Sequence, residues 1–268
     1  MTYEIGFVGT GRMATAMIQG ILAKGLHTPD EIVACSPSPA SRERIERDLG
    51  IHTCNNLAEI AGLTDFIVLA MKPHQLGEVF AEQPYEIGPM HIVASVLAGV
   101  RIETLKSYVP EAKIFRIMPN LPSAVLEGVS CFSRNEGVSD IDARRLERVL
   151  DSFGLAVEIP EDQMDAVAGL SGGSPAFVFM VIGAMARAGR ELGLQADVSI
   201  KLSAQSVLGA AKMVLETGLD PKALKEAVCT PKGTTAEGVK VLEDYRVEEA
   251  FVEAVKASAR RSAELGGE

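Results

Sequence analysis

The chain has no tryptophan, few other aromatic residues and no excess of positive charge. Four cysteines among 268 residues, at positions 35, 54, 131 and 229, are too scattered for a disulfide framework or a paired-cysteine zinc site. The net charge of −10 disfavours nucleic-acid binding, which normally needs a basic face. No apolar run reaches about 18 residues and no signal-peptide pattern opens the chain. We therefore expect a cytoplasmic protein that neither spans a membrane nor binds nucleic acid.

Strand-like and helical patterns alternate up to about residue 160. The predicted strands are 3–9, 31–34, 66–70, 91–97, 113–117, 129–132 and 155–159, and the main helices are 13–24, 39–49 and 141–153. Apolar β-branched runs separated by helical segments are typical of buried parallel strands in βα units. The pattern predicts an α/β fold whose first domain, residues 1–160, is a Rossmann-type doubly wound sheet.

The remaining sequence, 161–268, lacks strand-like runs. Helices are predicted at 175–192, 198–217, 221–228 and 237–263. The segment 176–185 is apolar on all sides, which is typical of a helix buried on every face. We predict an all-helical second domain, rich in Gly and Ala, that forms a homodimer or a ring of dimers.

A glycine-rich turn connects the first predicted strand to the first predicted helix. The segment Gly9-Thr10-Gly11-Arg12-Met13-Ala14 has the form G-x-G-x-x-A. Its first glycine permits a tight turn, the second allows close approach of a pyrophosphate, and the helix N-terminus supplies N–H donors. The turn predicts dinucleotide binding, although glycine turns of purely structural use have the same pattern.

The end of the second strand distinguishes between the two nicotinamide cofactors. NAD binding usually places an acidic residue there, whereas Asp30 and Glu31 stand at the strand's start. The end reads Cys35-Ser36-Pro37-Ser38, with Arg42 and Arg44 soon after, and hydroxyls with a guanidinium suit a 2′-phosphate. NADPH is the predicted cofactor and NADH a possible one. The alternative is that the two arginines only solvate a surface helix.

Later strand ends should face the same crevice, because parallel strands end at one edge of the sheet. Lys72, in Ala70-Met71-Lys72-Pro73, is a candidate phosphate or ribose contact, or else a solvated lysine. Asn120, between two prolines, is a candidate nicotinamide contact or an ordinary turn residue. The predicted cofactor residues are Gly6, Val8, Gly9, Thr10, Gly11, Arg12, Met13, Ser36, Asn56, Ala70, Met71, Lys72, Pro73, Val96 and Asn120.

Four segments together resemble the pyrroline-5-carboxylate reductase family: Met71-Lys72-Pro73 and the segments 116–122, 169–177 and 229–235. The resemblance runs over almost the whole chain, and its two C-terminal segments are the specific ones. It implies an N-terminal Rossmann domain and a helical domain that interlocks with a partner chain. It also implies NAD(P)H-dependent reduction of a cyclic imine, 1-pyrroline-5-carboxylate, to L-proline at a site shared across the dimer.

Hydride reduction of a C=N bond needs no nucleophile and no metal, and we predict no metal site. The loop 231–235 precedes a predicted helix and offers backbone N–H donors to a carboxylate. Thr235 is the predicted catalytic residue, which donates its hydroxyl to the ring nitrogen; alternatively, Thr234 or Thr235 is an N-cap. Glu161 matches a substrate-side acid of the family, or is a solvated linker charge. The predicted substrate residues are Glu161, Ser174, Lys232, Gly233, Thr234 and Thr235.

Two departures from the family pattern keep alternatives open. The family usually has Ser-Gly-Ser-Gly-Pro-Ala-Tyr, whereas residues 171–177 read Ser-Gly-Gly-Ser-Pro-Ala-Phe. Lys232 replaces a family glycine and adds charge to the predicted substrate loop. Either it assists the substrate carboxylate or the substrate differs. The alternative functions are another NADP-linked imine or β-hydroxyacid reductase of the same two-domain plan, and a non-catalytic dinucleotide sensor.

Overall fold

An eight-stranded sheet organises the first part of the protein in the computed structural model, which describes residues 2–81, 86–231 and 233–267. The strands are β1 (Ile5–Val8), β2 (Ile32–Cys35), β3 (His52–Cys54), β4 (Phe66–Leu69), β5 (Ile92–Ser95), β6 (Lys113–Met118), β7 (Gly128–Arg134) and β8 (Gly154–Glu158). Their order is β3-β2-β1-β4-β5-β6-β7-β8, and only the β6–β7 pair is antiparallel. The first six strands have the usual order of a dinucleotide-binding fold, so the predicted Rossmann-type sheet is confirmed.

Helices pack on both faces of this sheet. They are α1 (Arg12–Ala23), α2 (Pro39–Leu49), α3 (Leu57–Leu63), α4 (Leu76–Ala81), α5 (Ile102–Tyr108) and α6 (Asp140–Leu150). Successive strand residues point to opposite faces, so Phe7 belongs to a core cluster with α1 and α6, and Val8 to one with α3, α4 and α5. Burial on both faces explains why these strands are apolar without alternation.

The edge strand β3 and the helix α3 after it were not predicted from the sequence. His52–Cys54 is short and polar, and it pairs only with β2, at the margin of the sheet. The side chain of Asn56 starts α3, because its Oδ1 accepts a hydrogen bond from the Glu59 N–H at 3.0 Å. A strand that buries little apolar surface has no hydrophobic pattern by which to detect it.

The rest of the chain is helical. The helices are α7 (Met164–Val167), α8 (Ser174–Glu191), α9 (Ala196–Thr217), α10 (Pro221–Val228), α11 (Thr234–Asp244) and α12 (Val247–Gly267), and a π-helical turn, Ala168–Gly172, precedes α8. The prediction of one helix over 237–263 is wrong. The chain leaves helical geometry between α11 and α12, where Arg246 has a φ of 53° in the left-handed region.

Two compact units divide the chain somewhat differently from the two predicted domains. One unit comprises residues 1–172 and 258–268, and the other comprises residues 173–257. The segment 161–172 and the end of α12 therefore belong with the sheet, whereas the sequence placed them in the helical domain. The assignment of cofactor binding to 1–160 and of substrate binding and dimerisation to 161–268 stays a prediction.

Large apolar side chains are exposed along the helical unit. The expectation that 176–185 is buried on every face is wrong for the single chain, since Phe179 and Met180 are 57% and 74% exposed. Leu192 and Leu215 are also exposed, at 86% and 77%. By length and hydropathy alone, two helical stretches, Glu161–Glu191 and Ala196–Thr217, are apolar enough to cross a membrane. Large exposed apolar patches are typical of protein–protein or membrane interaction sites.

Candidate functional site

A cavity of about 550 Å³ opens where β1, β2 and β4 end. This is where ligands bind in open α/β sheets, at the carboxyl ends of the strands. Most of the predicted cofactor residues line it: Val8, Gly9, Thr10, Gly11, Arg12, Met13, Ser36, Asn56, Ala70, Met71 and Lys72. The sheet thus brings together residues that lie up to 64 positions apart in the sequence, from Val8 to Lys72.

The two glycines of the β1–α1 turn are constrained in different ways. Gly9 has a φ of 105°, and a Cβ there would lie 2.8 Å from the carbonyl oxygen of Ala70. A side chain at position 9 is therefore excluded by the protein itself. Gly11 has ordinary extended geometry, and a Cβ on it would meet nothing within 4 Å. Packing does not require glycine at position 11, so its open space is available to a ligand that approaches the backbone.

The N-terminus of α1 faces the cavity. Gly11 is the N-cap residue and makes no side-chain capping bond, and the first turn contains no acidic residue. The backbone N–H groups of a first helical turn have no partners within the helix, and they carry the positive end of the helix dipole. Arg12, an exposed residue that lines the cavity, adds a full positive charge. The arrangement suits an anionic group such as a pyrophosphate.

Two arginines hold the loops at the end of β2. Arg42 donates from Nη1 to the carbonyl oxygen of Ser36 at 2.5 Å, and Arg44 donates from Nη2 to the carbonyl oxygen of Thr10 at 2.6 Å. Neither arginine itself lines the cavity, but both acceptors do. Glu31 lies at the opposite end of β2, where it accepts hydrogen bonds from Thr28. The end of β2 therefore offers hydroxyls to the cavity, backed by two guanidinium groups, and no carboxylate.

Four predicted cofactor residues do not line the cavity. Gly6 lies inside β1, where a Cβ would be 2.7 Å from Cγ2 of Thr64, and Pro73 starts the short 3₁₀ turn after Lys72. Val96 follows β5, where its N–H donates to Leu69. Glycine at position 6 is explained by close packing between β1 and α3.

Asn120, the fourth of these residues, connects two backbone segments. Its Nδ2 donates to the carbonyl oxygen of Ser171 at 3.1 Å, and its Oδ1 accepts from the N–H of Val129 at 2.9 Å. The side chain is buried and ties the start of β7 to the π-helical turn before α8. A nicotinamide contact by Asn120 stays a prediction.

Glu161 is part of an ion pair rather than a solvated linker charge. Its Oε1 accepts from the N–H of Ile102 at 2.8 Å and from Nη1 of Arg116 at 3.1 Å. The Arg116 side chain is 10% exposed and that of Glu161 is 30% exposed, so the pair is partly desolvated. The pair joins β6, α5 and the segment before α7. Its use as a substrate contact stays a prediction.

The remaining predicted substrate residues begin helices of the other unit. Ser174 is the first residue of α8, and Thr234 and Thr235 are the first two of α11. The N-cap of α11 is Gly233, with no side-chain capping bond, so the alternative that a threonine caps this helix is wrong. A Cβ on Gly233 would collide with the side chain of Thr230. Both threonine side chains are exposed, and Lys232 lies outside the described residues.

Further cavity residues were missed by the sequence reasoning: Ser41, Asn55, Leu57, Gln75, Glu78 and Val79. Asn55 directly follows β3, so recognition of that strand would have predicted it by the same rule that predicted Lys72 after β4. Gln75 accepts at Oε1 from the Lys72 N–H at 3.0 Å and so shapes the loop. Among the described residues, no three His, Cys, Asp or Glu side chains are grouped as a metal site.

Comparison with known proteins decides the family. A curated pyrroline-5-carboxylate reductase of Methanosarcina acetivorans is 38% identical over 264 residues, covering 98% of each chain, and one of Escherichia coli is 37% identical, covering 99% of each. The chain belongs to the pyrroline-5-carboxylate reductase family. Residues 161–265 match the family model described as pyrroline-5-carboxylate reductase dimerisation, and residues 4–99 match NADP oxidoreductase coenzyme F420-dependent.

Solved structures of the family share the fold over nearly the whole chain. A pyrroline-5-carboxylate reductase from Coxiella burnetii has a TM-score of 0.87 at 32% identity, with 99% of each chain covered. A Plasmodium falciparum pyrroline carboxylate reductase with NADP bound has a TM-score of 0.86 at 28% identity, with 98% of each covered. A reductive aminase from Aspergillus terreus, at 16% identity and a TM-score of 0.58, shares the fold alone.

Because only Gly9 is required by packing, substitutions at Gly9 and Gly11 should differ in their effects on stability and on NADPH binding. Gly11→Asn should leave the thermal unfolding midpoint unchanged or raise it, because Asn is a good N-cap and the space is open. It should weaken NADPH binding at least tenfold, about 1.4 kcal/mol, measured by fluorescence titration. Gly9→Ala, the matched variant, should lower the unfolding midpoint as well. Unchanged NADPH affinity in Gly11→Asn would mean that no ligand occupies this space.

Proposed function

We propose that the protein reduces 1-pyrroline-5-carboxylate to L-proline by hydride transfer from NADPH. The observation that carries the proposal is the full-length similarity to curated pyrroline-5-carboxylate reductases, together with a cavity of the expected chemistry at the strand ends. The rival functions, a related imine or β-hydroxyacid reductase and a non-catalytic sensor, differ in substrate turnover and not in fold.

The residues of the β1–α1 turn fit a dinucleotide. The empty space beside Gly11 provides room for a pyrophosphate. The N-terminus of α1, whose first turn has no acidic residue, provides N–H donors for it. Ser36 and Ser38, with Arg42 behind them, provide hydroxyls and a positive charge for a 2′-phosphate at the end of β2. When bound, the reduced nicotinamide supplies a hydride to the imine carbon.

The loop before α11 is the proposed substrate contact. Helix N-termini bind carboxylates through backbone N–H groups, and Gly233 lets the backbone turn tightly against Thr230 into the first turn of α11. Thr235, the second residue of that turn, has an exposed hydroxyl that makes no capping bond. We propose that this hydroxyl donates to the ring nitrogen of the imine, where electron density accumulates as the hydride arrives.

The proposed role of the Thr235 hydroxyl can be tested by comparing a substitution that removes this hydroxyl with one that keeps it. Thr235→Ala should lower kcat/KM for the imine about 100-fold, because one positioned donor is lost at the reacting nitrogen. Thr235→Ser should restore most of the rate, and Thr234→Ala shows whether the neighbouring hydroxyl, also a predicted substrate residue, contributes. NADPH affinity should stay the same in all three, as measured by titration. Equal losses of catalysis and NADPH affinity in Thr235→Ala would reject the proposed role.

The same assay separates the three functions. Wild-type enzyme should oxidise NADPH with 1-pyrroline-5-carboxylate far faster than with other cyclic imines or with β-keto acids. Faster turnover of one of those substrates would replace the proposed substrate with another. Tight NADPH binding with no turnover across the whole panel would favour the sensor.

Arg42 provides the test of cofactor preference. Arg42→Ala should raise the KM for NADPH about tenfold and leave that for NADH nearly unchanged, because only NADPH carries the additional phosphate. Arg47→Ala is the matched control on α2, since among the described residues Arg47 pairs only with the exposed Asp48, and it does not line the cavity. A wild-type kcat/KM that is higher with NADH than with NADPH would overturn the preference.

We further propose a homodimer, or a ring of dimers, assembled through the helical unit in the cytoplasm, with no membrane or nucleic-acid partner. The exposed apolar surface of α8 and α9 and the match to a dimerisation family over 161–265 support assembly. The four cysteines, all within the described residues, form no disulfide, as suits a reducing compartment.

Sedimentation measures the assembly directly. The wild-type protein should sediment as at least two 28.5-kDa chains at micromolar concentration, without detergent. Met180→Asp should disrupt the assembly, whereas Ile141→Asp on α6, at a residue of similar exposure, should not. A wild-type monomer would contradict the proposal, and solubility only in detergent would favour a membrane role for the apolar helices.

A further inference from the structure

Two cysteines lie side by side at the ends of β2 and β3. Cys35 and Cys54 are register partners in this parallel pair of strands, whose neighbouring Cα atoms are about 4.8 Å apart. Cys35 belongs to the core cluster on one face of the sheet, and Cys54 packs against the same cluster, so both side chains point the same way. Disulfides form between Cα atoms about 4.4–6.8 Å apart with converging side chains. The strand spacing lies in this range, and the hydrogen bond between the two thiols places their sulfurs next to each other.

We propose that Cys35 and Cys54 form a reversible disulfide under peroxide and that this disulfide weakens cofactor binding. The second part rests on the proposed function, because it takes the cavity at the strand ends as the NADPH site. Cys35 lines that cavity, and so do Asn55 and Asn56, which follow Cys54 directly.

The surroundings of Cys54 favour its reaction. The pKa of Cys54 is lowered chiefly by a hydrogen bond from the Cys35 thiol, which outweighs the opposing effects of burial and of the Glu59 charge; Arg42 lowers it slightly further. Cys54 is partly exposed, whereas Cys35 is 3% exposed. Cys131, in contrast, is buried in β7, and burial raises its pKa. Since the thiolate is the nucleophile, Cys54 should react first and Cys35 second.

The reaction balances with hydrogen peroxide as the two-electron oxidant. The Cys54 thiolate attacks one peroxide oxygen, the O–O bond breaks, and protonation of the departing oxygen releases water and leaves a sulfenic acid. The Cys35 sulfur then attacks the Cys54 sulfur, the S–O bond breaks, and a second water leaves. Two thiols and one peroxide become one disulfide and two waters, and a dithiol reductant reverses the change.

Formation of the disulfide would displace β3, the short strand at the edge of the sheet, and would thereby change the cavity wall. The sulfur atoms must approach from non-bonded contact to about 2.05 Å. β3 has three residues and pairs only with β2, so it has little resistance to movement. Asn56 caps α3 two residues after Cys54, so displacement of the end of β3 also shifts the start of α3. The adenosine end of the cofactor site is therefore the part that should be disturbed.

Peptide mapping of the full-length protein tests the disulfide itself. Peroxide treatment, alkylation and non-reducing digestion should give a cross-linked peptide containing Cys35 and Cys54, lost after dithiothreitol. Cys131→Ser should still form it. In Cys35→Ser, Cys54 should instead stop at a sulfenic acid that dimedone traps. Oxidation of Cys54 in the wild-type protein without a link to Cys35, or no reaction at either cysteine, would overturn the proposal.

NADPH titration of the same samples tests the effect on binding. The oxidised protein should bind NADPH at least tenfold more weakly, with recovery after dithiothreitol, and saturating NADPH should slow formation of the disulfide. A disulfide that leaves NADPH affinity unchanged would overturn the proposed control of the site. These readouts do not require imine turnover, so failure of the proposed reaction and failure of the disulfide remain distinguishable.

Discussion

The close approach of the β1–α1 turn to the backbone after β4 is the constraint on which the site depends. Gly9 has a φ of 105°, and a Cβ atom on it would lie only 2.8 Å from the carbonyl oxygen of Ala70. Only glycine fits there, and the tight turn directs the N-terminus of α1 into the cavity. The loops after β2 and β4 complete the same wall, because parallel strands in register end at one level.

Local patterns were sufficient to predict seven of the eight strands and the cofactor turn. Buried parallel strands are apolar throughout, and a G-x-G-x-x-A turn between strand and helix has a direct mechanical meaning. β3 was not predicted because it is only three residues long and none of them is fully buried, so the strand has no apolar pattern. The break between α11 and α12 was not predicted either. Arg246 adopts a left-handed conformation there, which an arginine in the sequence does not indicate.

Contacts between distant residues were the other part that the sequence did not predict. Glu161 and Arg116 are 45 positions apart, and Asn120 contacts a carbonyl 51 positions away. Glu161 and Asn120 were predicted as substrate and cofactor contacts, and these roles stay predictions; that each also joins separate backbone segments was not predicted. The burial expected for 176–185 failed for a different reason: it was argued from the segment's own composition, whereas burial depends on whatever chain lies against it.

The exposed apolar surface of α8 and α9 also affects the stability of the helical unit. An isolated chain with side chains such as Leu192 and Leu215 in water loses the free energy that their burial would contribute. In the proposed homodimer, folding of the helical unit would be linked by mass action to protein concentration, so dilution would destabilise it. Before such a dimer forms, the exposed apolar side chains would make single chains prone to aggregation.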